Sequence, residues 1–138
     1  MSEMQRAVWD GSLAVHITAV DEQHKRLIAM INEARDHIET GKPGSDLVFL
    51  IKKLFQYAEE HFATEEKLMA GASFPEEDAH KSQHAAFRRH VETFNLDLVL
   101  HTPHLAYDIL RYLWEWLREH IAATDKRLGA FLASRGVR

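Results

Sequence analysis

The 138-residue chain has no cysteine. Disulfides, zinc knuckles and thiolate-bound clusters are therefore excluded. Proline occurs only three times, as Pro43, Pro75 and Pro103, each beside an interruption of helical periodicity. No apolar run approaches the roughly 18 residues of a membrane span. Charge is mixed, the net value is only -4, and no block of one sign stands out. The basic face expected of a nucleic-acid binder is missing. The opening Met1-Ser2-Glu3-Met4-Gln5-Arg6 lacks the apolar core of a signal peptide, so a cytoplasmic protein is expected. There is no strand pattern, low-complexity tract or internal linker. What the chain has in abundance is histidine: ten in all.

The length fits one domain, residues 1–138, built on a single core. Residues 1–18 show no helical period and read as an N-terminal arm, with Trp9, Leu13, Val15 and Ile17 laid across the remainder. A helix over about 19–40 follows, with Asp21 and Glu22 near its start and His24, Leu27, Ile28, Ile31 and Ile38 at helical spacing. Gly41-Lys42-Pro43-Gly44 breaks it. Ser45 or Asp46 can cap the next helix, about 46–70, whose stripe is Leu47, Leu50, Leu54, Ala58, His61, Glu65 and Leu68. Gly71-Ala72-Ser73-Phe74 is a stop, and Pro75 suits the first turn of a third helix over about 75–100. That helix carries His80, His84, Phe87, Val91, Phe94 and Leu98. Thr102-Pro103 opens a fourth, about 103–134, with Ala106, Leu110, Leu113, Leu117, His120, Thr124, Leu128 and Phe131 on one side. The expectation is an all-α, antiparallel, up-down-up-down four-helix bundle.

In an antiparallel hairpin, residues equidistant from the turn share a height. His24 and His61 are centred between Lys42 and Pro43. His61 with His84, and Glu65 with His80, are centred between Ala72 and Ser73. His84 and His120 are centred on Thr102, and His80 with Asp125 falls within half a residue of it. Three turns thus bring His24, His61, Glu65, His80, His84, His120 and Asp125 to one layer.

One histidine on an apolar stripe is ordinarily a satisfied core residue, and one i,i+4 pair is ordinarily solvated. Seven polar groups in one buried layer are different. Each costs on the order of a few kcal/mol without a partner, and a domain has only about 5–15 kcal/mol of net stability. No Lys or Arg lies on these stripes at that level to neutralise Glu65 and Asp125. Neutral imidazole and carboxylate are good ligands for first-row divalent metals, iron and manganese alike. Seven ligands exceed the needs of one ion, so two ions bridged by the carboxylates fit better. His37, His90, His101 and His104 fall off the stripes and are expected at the surface, while His16 has no assigned place. Glu66 and Glu115 are expected to be solvated, and Trp114 to sit at the bundle edge. Trp116 and Leu117 are core by spacing and candidates for lining a ligand pocket.

The segments Val20-Asp21-Glu22-Gln23-His24-Lys25, His61-Phe62-Ala63-Thr64-Glu65-Glu66, His80-Lys81-Ser82-Gln83-His84-Ala85-Ala86-Phe87 and Trp116-Leu117-Arg118-Glu119-His120-Ile121 through Asp125 resemble the hemerythrin family, specifically its single-domain bacteriohemerythrins. Trp9 adds to the likeness. The resemblance implies a non-haem di-iron centre, with His80, His84 and His120 on one iron and His24 and His61 on the other. Glu65, Asp125 and an oxo or hydroxo group would bridge them. It further implies an open coordination position used for reversible dioxygen binding, in storage, transport or delivery. An oxygen-consuming enzyme is the implied recipient, and a monomer the implied state.

Competing readings are oxygen or redox sensing through a partner, a di-iron oxidase or peroxidase, nitric-oxide handling, and a structural or metal-buffering bundle. Ferritin-like enzymes use two Glu-x-x-His motifs plus further glutamates. Only Glu77 to His80 has that spacing, and Glu77 lies off the core stripe. Five neutral imidazoles also leave two ions less electron-rich than a carboxylate cage does, which disfavours strongly oxidised states. No His-Glu-x-x-His occurs, against a zinc hydrolase. An oxygen-binding protein rather than an enzyme is the expectation.

Overall fold

The computed structural model describes residues 4–41 and 44–138 and, of Pro103, only the backbone. Lys42 and Pro43, part of the expected first break, lie outside the described residues. Helix α1 spans Thr18–Glu39, α2 Gly44–Ala72, α3 Glu77–Val91, α4 Pro103–Glu119 and α5 Lys126–Ser134. A π-turn over His120–Asp125 joins α4 to α5 into one continuous fourth helix. Each helix of the bundle runs opposite to the one before it, and no strand occurs among the described residues. No described helix is long and apolar enough to cross a membrane.

Apart from the third, the helices form where the apolar period expects them, with the buried side of α2 rotated slightly. Ile51, Phe62 and Met69 are fully buried there, whereas Leu50 and Leu68 are only half-buried. α2 begins at Gly44, ahead of the candidate caps Ser45 and Asp46. Thr102 does occupy the N-cap position of α4, but its side chain makes no capping hydrogen bond.

The third helix is shorter than its periodicity suggests. It stops at Val91 instead of running to about residue 100, and it starts at Glu77, two residues after Pro75. Asn95, four residues on, keeps the chain from resuming the helix. Its backbone is extended, and its side-chain oxygen accepts the Asp97 N–H. Asparagine competes with helix in this way by satisfying a local N–H itself. A short 3-10 turn, Leu96–Leu100, follows. Leu98, expected in the core, is 52% exposed; Val99 is buried instead.

The arm lies across the bundle as expected, with Leu13, Val15 and Ile17 buried and Trp9 half-buried. Its attachments are polar and specific. Asn32 on α1 accepts the Ala7 N–H and donates to the Ala7 carbonyl, both at 2.8 Å. Arg35 Nε donates to the Met4 carbonyl at 2.7 Å. Asp21 accepts the N–H groups of Val15 and His16 at 2.8 and 3.0 Å, where His16 turns to φ +65°. Gly129 on α5 permits the closest approach: a Cβ there would lie 2.4 Å from the Val15 carbonyl oxygen.

Candidate metal centre

Every helix of the bundle contributes to one buried layer. His61 and Glu65 lie one turn apart on α2, and His80 and His84 one turn apart on α3, so each pair shares a face. His24 comes from α1. His120 and Asp125 are five residues apart, a spacing that a regular α-helix would splay. The π-turn absorbs the extra residue: the Lys126 N–H bonds the Ile121 carbonyl, five back. Both side chains therefore reach the interior. All seven are at most 3% exposed.

The polar atoms crowd, and many of them are left without a partner. His24 Nε2 lies 3.0 Å from His61 Nε2 and 2.9 Å from Asp125 Oδ2. Asp125 Oδ1 lies 3.1 Å from His80 Nε2 and 3.0 Å from His120 Nε2. Glu65 Oε1 is 3.1 Å from His84 Nε2 and 3.4 Å from His61 Nε2. Despite this closeness Glu65 Oε2, His80 Nε2, His120 Nε2 and both Asp125 oxygens have no aligned hydrogen-bond partner. Two ligand sets emerge, each with its donor atoms within 4.8 Å of one another: Glu65, His80, His84 and His120; and His24, His61, Glu65 and Asp125. Buried atoms that face each other unbonded are what bound cations would satisfy, and the donor chemistry suits first-row metals.

Burial dominates the electrostatics. It drives His61 well below its ordinary value, assisted by His24. It takes His84 down to about 2, assisted by His120 and His80. Both are therefore neutral imidazoles at neutral pH. Burial also raises the Glu65 carboxyl well above the usual range, with Asp125 adding to the rise. Burial would raise Asp125 as well, but the charge and contact of His120, His24 and His80 outweigh it and hold Asp125 well below the usual range.

The outer ring nitrogens are held by residues that the sequence reading missed. His61 Nδ1 meets Gln23 Oε1 at 2.7 Å, and His120 Nδ1 meets Gln83 Oε1 at 2.8 Å. Each glutamine directly precedes a histidine of the layer, His24 or His84, and reaches to the histidine of a different helix; that Gln-His repeat is the signal available in the sequence. Thr124 donates to Gln83 at 2.8 Å, and Gln23 donates to Thr64 at 2.9 Å. Glu66, expected in solvent, is a correction. It is half-buried and meets His84 Nδ1 at 2.9 Å, because the residue after Glu65 points along the α2–α3 seam. Such partners fix ring orientation and leave Nε2 free to ligate.

Toward the α1–α2 turn the layer borders a small apolar cavity of about 20 Å³, lined by residues including Leu27, Ala58, Phe62, Phe87, Trp116 and Leu117. Phe62 stacks on His84 at 4.0 Å between centroids, and Trp116 on His120 at 4.5 Å. Trp116 and Leu117, the candidates for lining a ligand pocket, both border this cavity. His16, His90, His101 and His104 are exposed and His37 is half-buried; none joins the layer. Glu115 is exposed and Trp114 half-buried.

A helical bundle with a buried layer of five histidines and two carboxylates is a metal-binding protein of all-α class. The hemerythrin HHE cation-binding domain model matches residues 15–132. A bacteriohemerythrin of Pseudomonas aeruginosa is 33% identical over 122 residues, covering 88% of this chain and 78% of its own. A bacteriohemerythrin of Clostridium acetobutylicum is 25% identical over 123 residues, covering 86% and 95%. A myohemerythrin of Theromyzon tessulatum is 30% identical over 117 residues, covering 85% and 86%. The chain belongs to the hemerythrin family.

Proposed function

We propose that the chain binds dioxygen reversibly at a non-haem di-iron centre, in storage, transport or delivery of oxygen. In this reading His24 and His61 hold one iron, and His80, His84 and His120 the other. Glu65, common to both ligand sets, and Asp125, whose two oxygens face opposite sets, would be shared between the two ions. The observation that carries the reading is the juxtaposition of unbonded buried ligand atoms with an apolar cavity. The iron pair supplies the electrons on which reversible dioxygen capture draws.

The chain's own residues do the rest. Gln23, Gln83 and Glu66 hold His61, His120 and His84 in register, so Nε2 faces inward before any ion arrives. Leu27, Ala58, Leu113 and Leu117 line a space that suits a small apolar gas and offers water no hydrogen bonds. The nine residues lining that cavity include no acid to deliver a proton, which favours holding dioxygen over cleaving it. That is the support for a binding protein over an oxidase. The test is the near-ultraviolet and visible spectrum of iron-loaded, reduced protein under argon, in air, and under argon again. Charge-transfer bands that come with oxygen and fade without it are expected. Bands that persist, with peroxide consumed or released, would move the reading to an oxidase or peroxidase.

A further inference from the structure

Five buried histidines need partners for the ring nitrogen that points away from the layer. His61, His84 and His120 have theirs in Gln23, Glu66 and Gln83. His24 Nδ1 and His80 Nδ1 have none. The two are not equivalent. His80 lines a small cavity on the α2–α3 turn side of the layer, with Ala79, Gln83, Thr124, Glu76 and Arg127. His80 is 2% exposed, with Nε2 turned to Asp125 at 3.1 Å, so the unpartnered Nδ1 is the nitrogen directed away from the layer. The cavity holds about 10 Å³, room for a single water, between the apolar Phe74 and Ala79 and the polar groups of its wall; a buried ring N–H at such a space is a setting in which proteins hold an ordered water, which needs about 2–4 polar partners. Gln83 and the Thr124 hydroxyl stand at the same cavity.

We propose that this cavity is a water-binding site that completes His80. The water accepts from His80 Nδ1–H and is shared with the Gln83–Thr124 pair. It plays the positioning role that side chains play for His61, His84 and His120. The Arg127–Glu76 ion pair, 3.1 Å long and half-exposed, forms part of the cavity's wall and reaches solvent. The site therefore lies between solvent-exposed charges and His80 on the three-histidine side of the layer. Any consequence for a metal rests on the di-iron reading; the water itself does not.

The direct test is high-resolution diffraction from the protein with and without metal. Density for a water at hydrogen-bond distance from His80 Nδ1 is expected in both. An empty cavity, or a protein group bonded to Nδ1, would overturn the proposal. A second measurement uses histidine-labelled protein loaded with zinc(II) as a diamagnetic probe. Magnetisation transfer from water should reach the His80 N–H several-fold faster than that of His61, and Arg127→Ala should speed His80 further while leaving His61 unchanged. Equal rates at the two rings, or no response to Arg127→Ala, would count against the site. Failure to bind zinc would count against the metal reading alone, because the diffraction test needs no ion.

Discussion

Toward the α1–α2 turn, the histidine–carboxylate layer meets Leu27, Ala58, Phe87, Leu113 and Leu117. Toward the α2–α3 turn, the same layer meets Gln83, Thr124, Glu76 and Arg127 together with Phe74 and Ala79. One end offers a small guest no hydrogen bond; the other offers several. The layer itself is nearly symmetric in ligand type, so the difference lies in what flanks it. The apolar lining is kept to one end, and polar contacts that orient the rings are kept to the opposite side. The bundle achieves this by direction alone: residues one turn after His24 and His84, or one turn before His61 and His120, face the apolar end.

Ligand removal should give the largest effect. His24→Ala, His61→Ala or Glu65→Ala is expected to lose metal and abolish stable dioxygen binding, read as iron per chain after gel filtration. Full iron retention and binding would refute the ligand assignment. Next comes the apolar wall. Leu117→Ala should cost about 2–5 kcal/mol in denaturant unfolding and speed oxidation of the reduced, iron-loaded protein. An unchanged oxidation rate would remove Leu117 from the gas side. The polar partners should matter in affinity more than in fold: Gln23→Leu and Gln83→Leu are expected to weaken metal binding about 10- to 100-fold in a competitive chelator titration. If Gln83→Leu altered only gas exchange, the division between the two ends would fail.

Removing metal should expose the layer's titrations. His61 and His84 stay neutral in the fold because burial lowers them, His84 to about 2. Unfolded, each takes a proton near pH 6.5. The unfolded state then binds more protons, so metal-free stability must fall as pH drops below about 6.5, by up to about 1.4 kcal/mol per pH unit for each histidine. Glu65 has the opposite sign. Its raised folded value makes the fold bind the extra proton, so its contribution is lost as pH rises above the unfolded carboxylate value. Metal-free stability measured in urea from pH 5 to 8 should therefore fall on the acid side, with one histidine's proton partly offset by Glu65; a flat profile would contradict the burial of neutral imidazoles. The smallest effect belongs to the surface: Arg6→Ala, which breaks the exposed pair with Asp36, should change stability by no more than about 1 kcal/mol.

The bundle and its layer were legible because both depend on period and turn position. His61 with Glu65, and His80 with His84, announce a shared face by spacing alone, and the height argument across three turns brings in His24 and His120. Asp125 was legible by height but not by period, since only the π-turn returns a residue five places on to the same side. Gln23, Gln83 and Glu66 were missed because one glutamine or glutamate beside a core stripe looks like any solvated side chain until the neighbouring helix is in place. Phe94 and Leu98 misled in the other direction: they continue the apolar period past Val91, but the helix ends there and the Asn95 side chain, by accepting the Asp97 N–H, starts a separate 3-10 turn.

The most direct measurement is oxygen uptake against iron content in reduced, iron-loaded protein, followed by release under argon. One dioxygen taken up for each pair of irons and given back on deoxygenation is the predicted result. Uptake that is never returned, or two bound metals that ignore oxygen, would contradict a reversible dioxygen site between these seven residues.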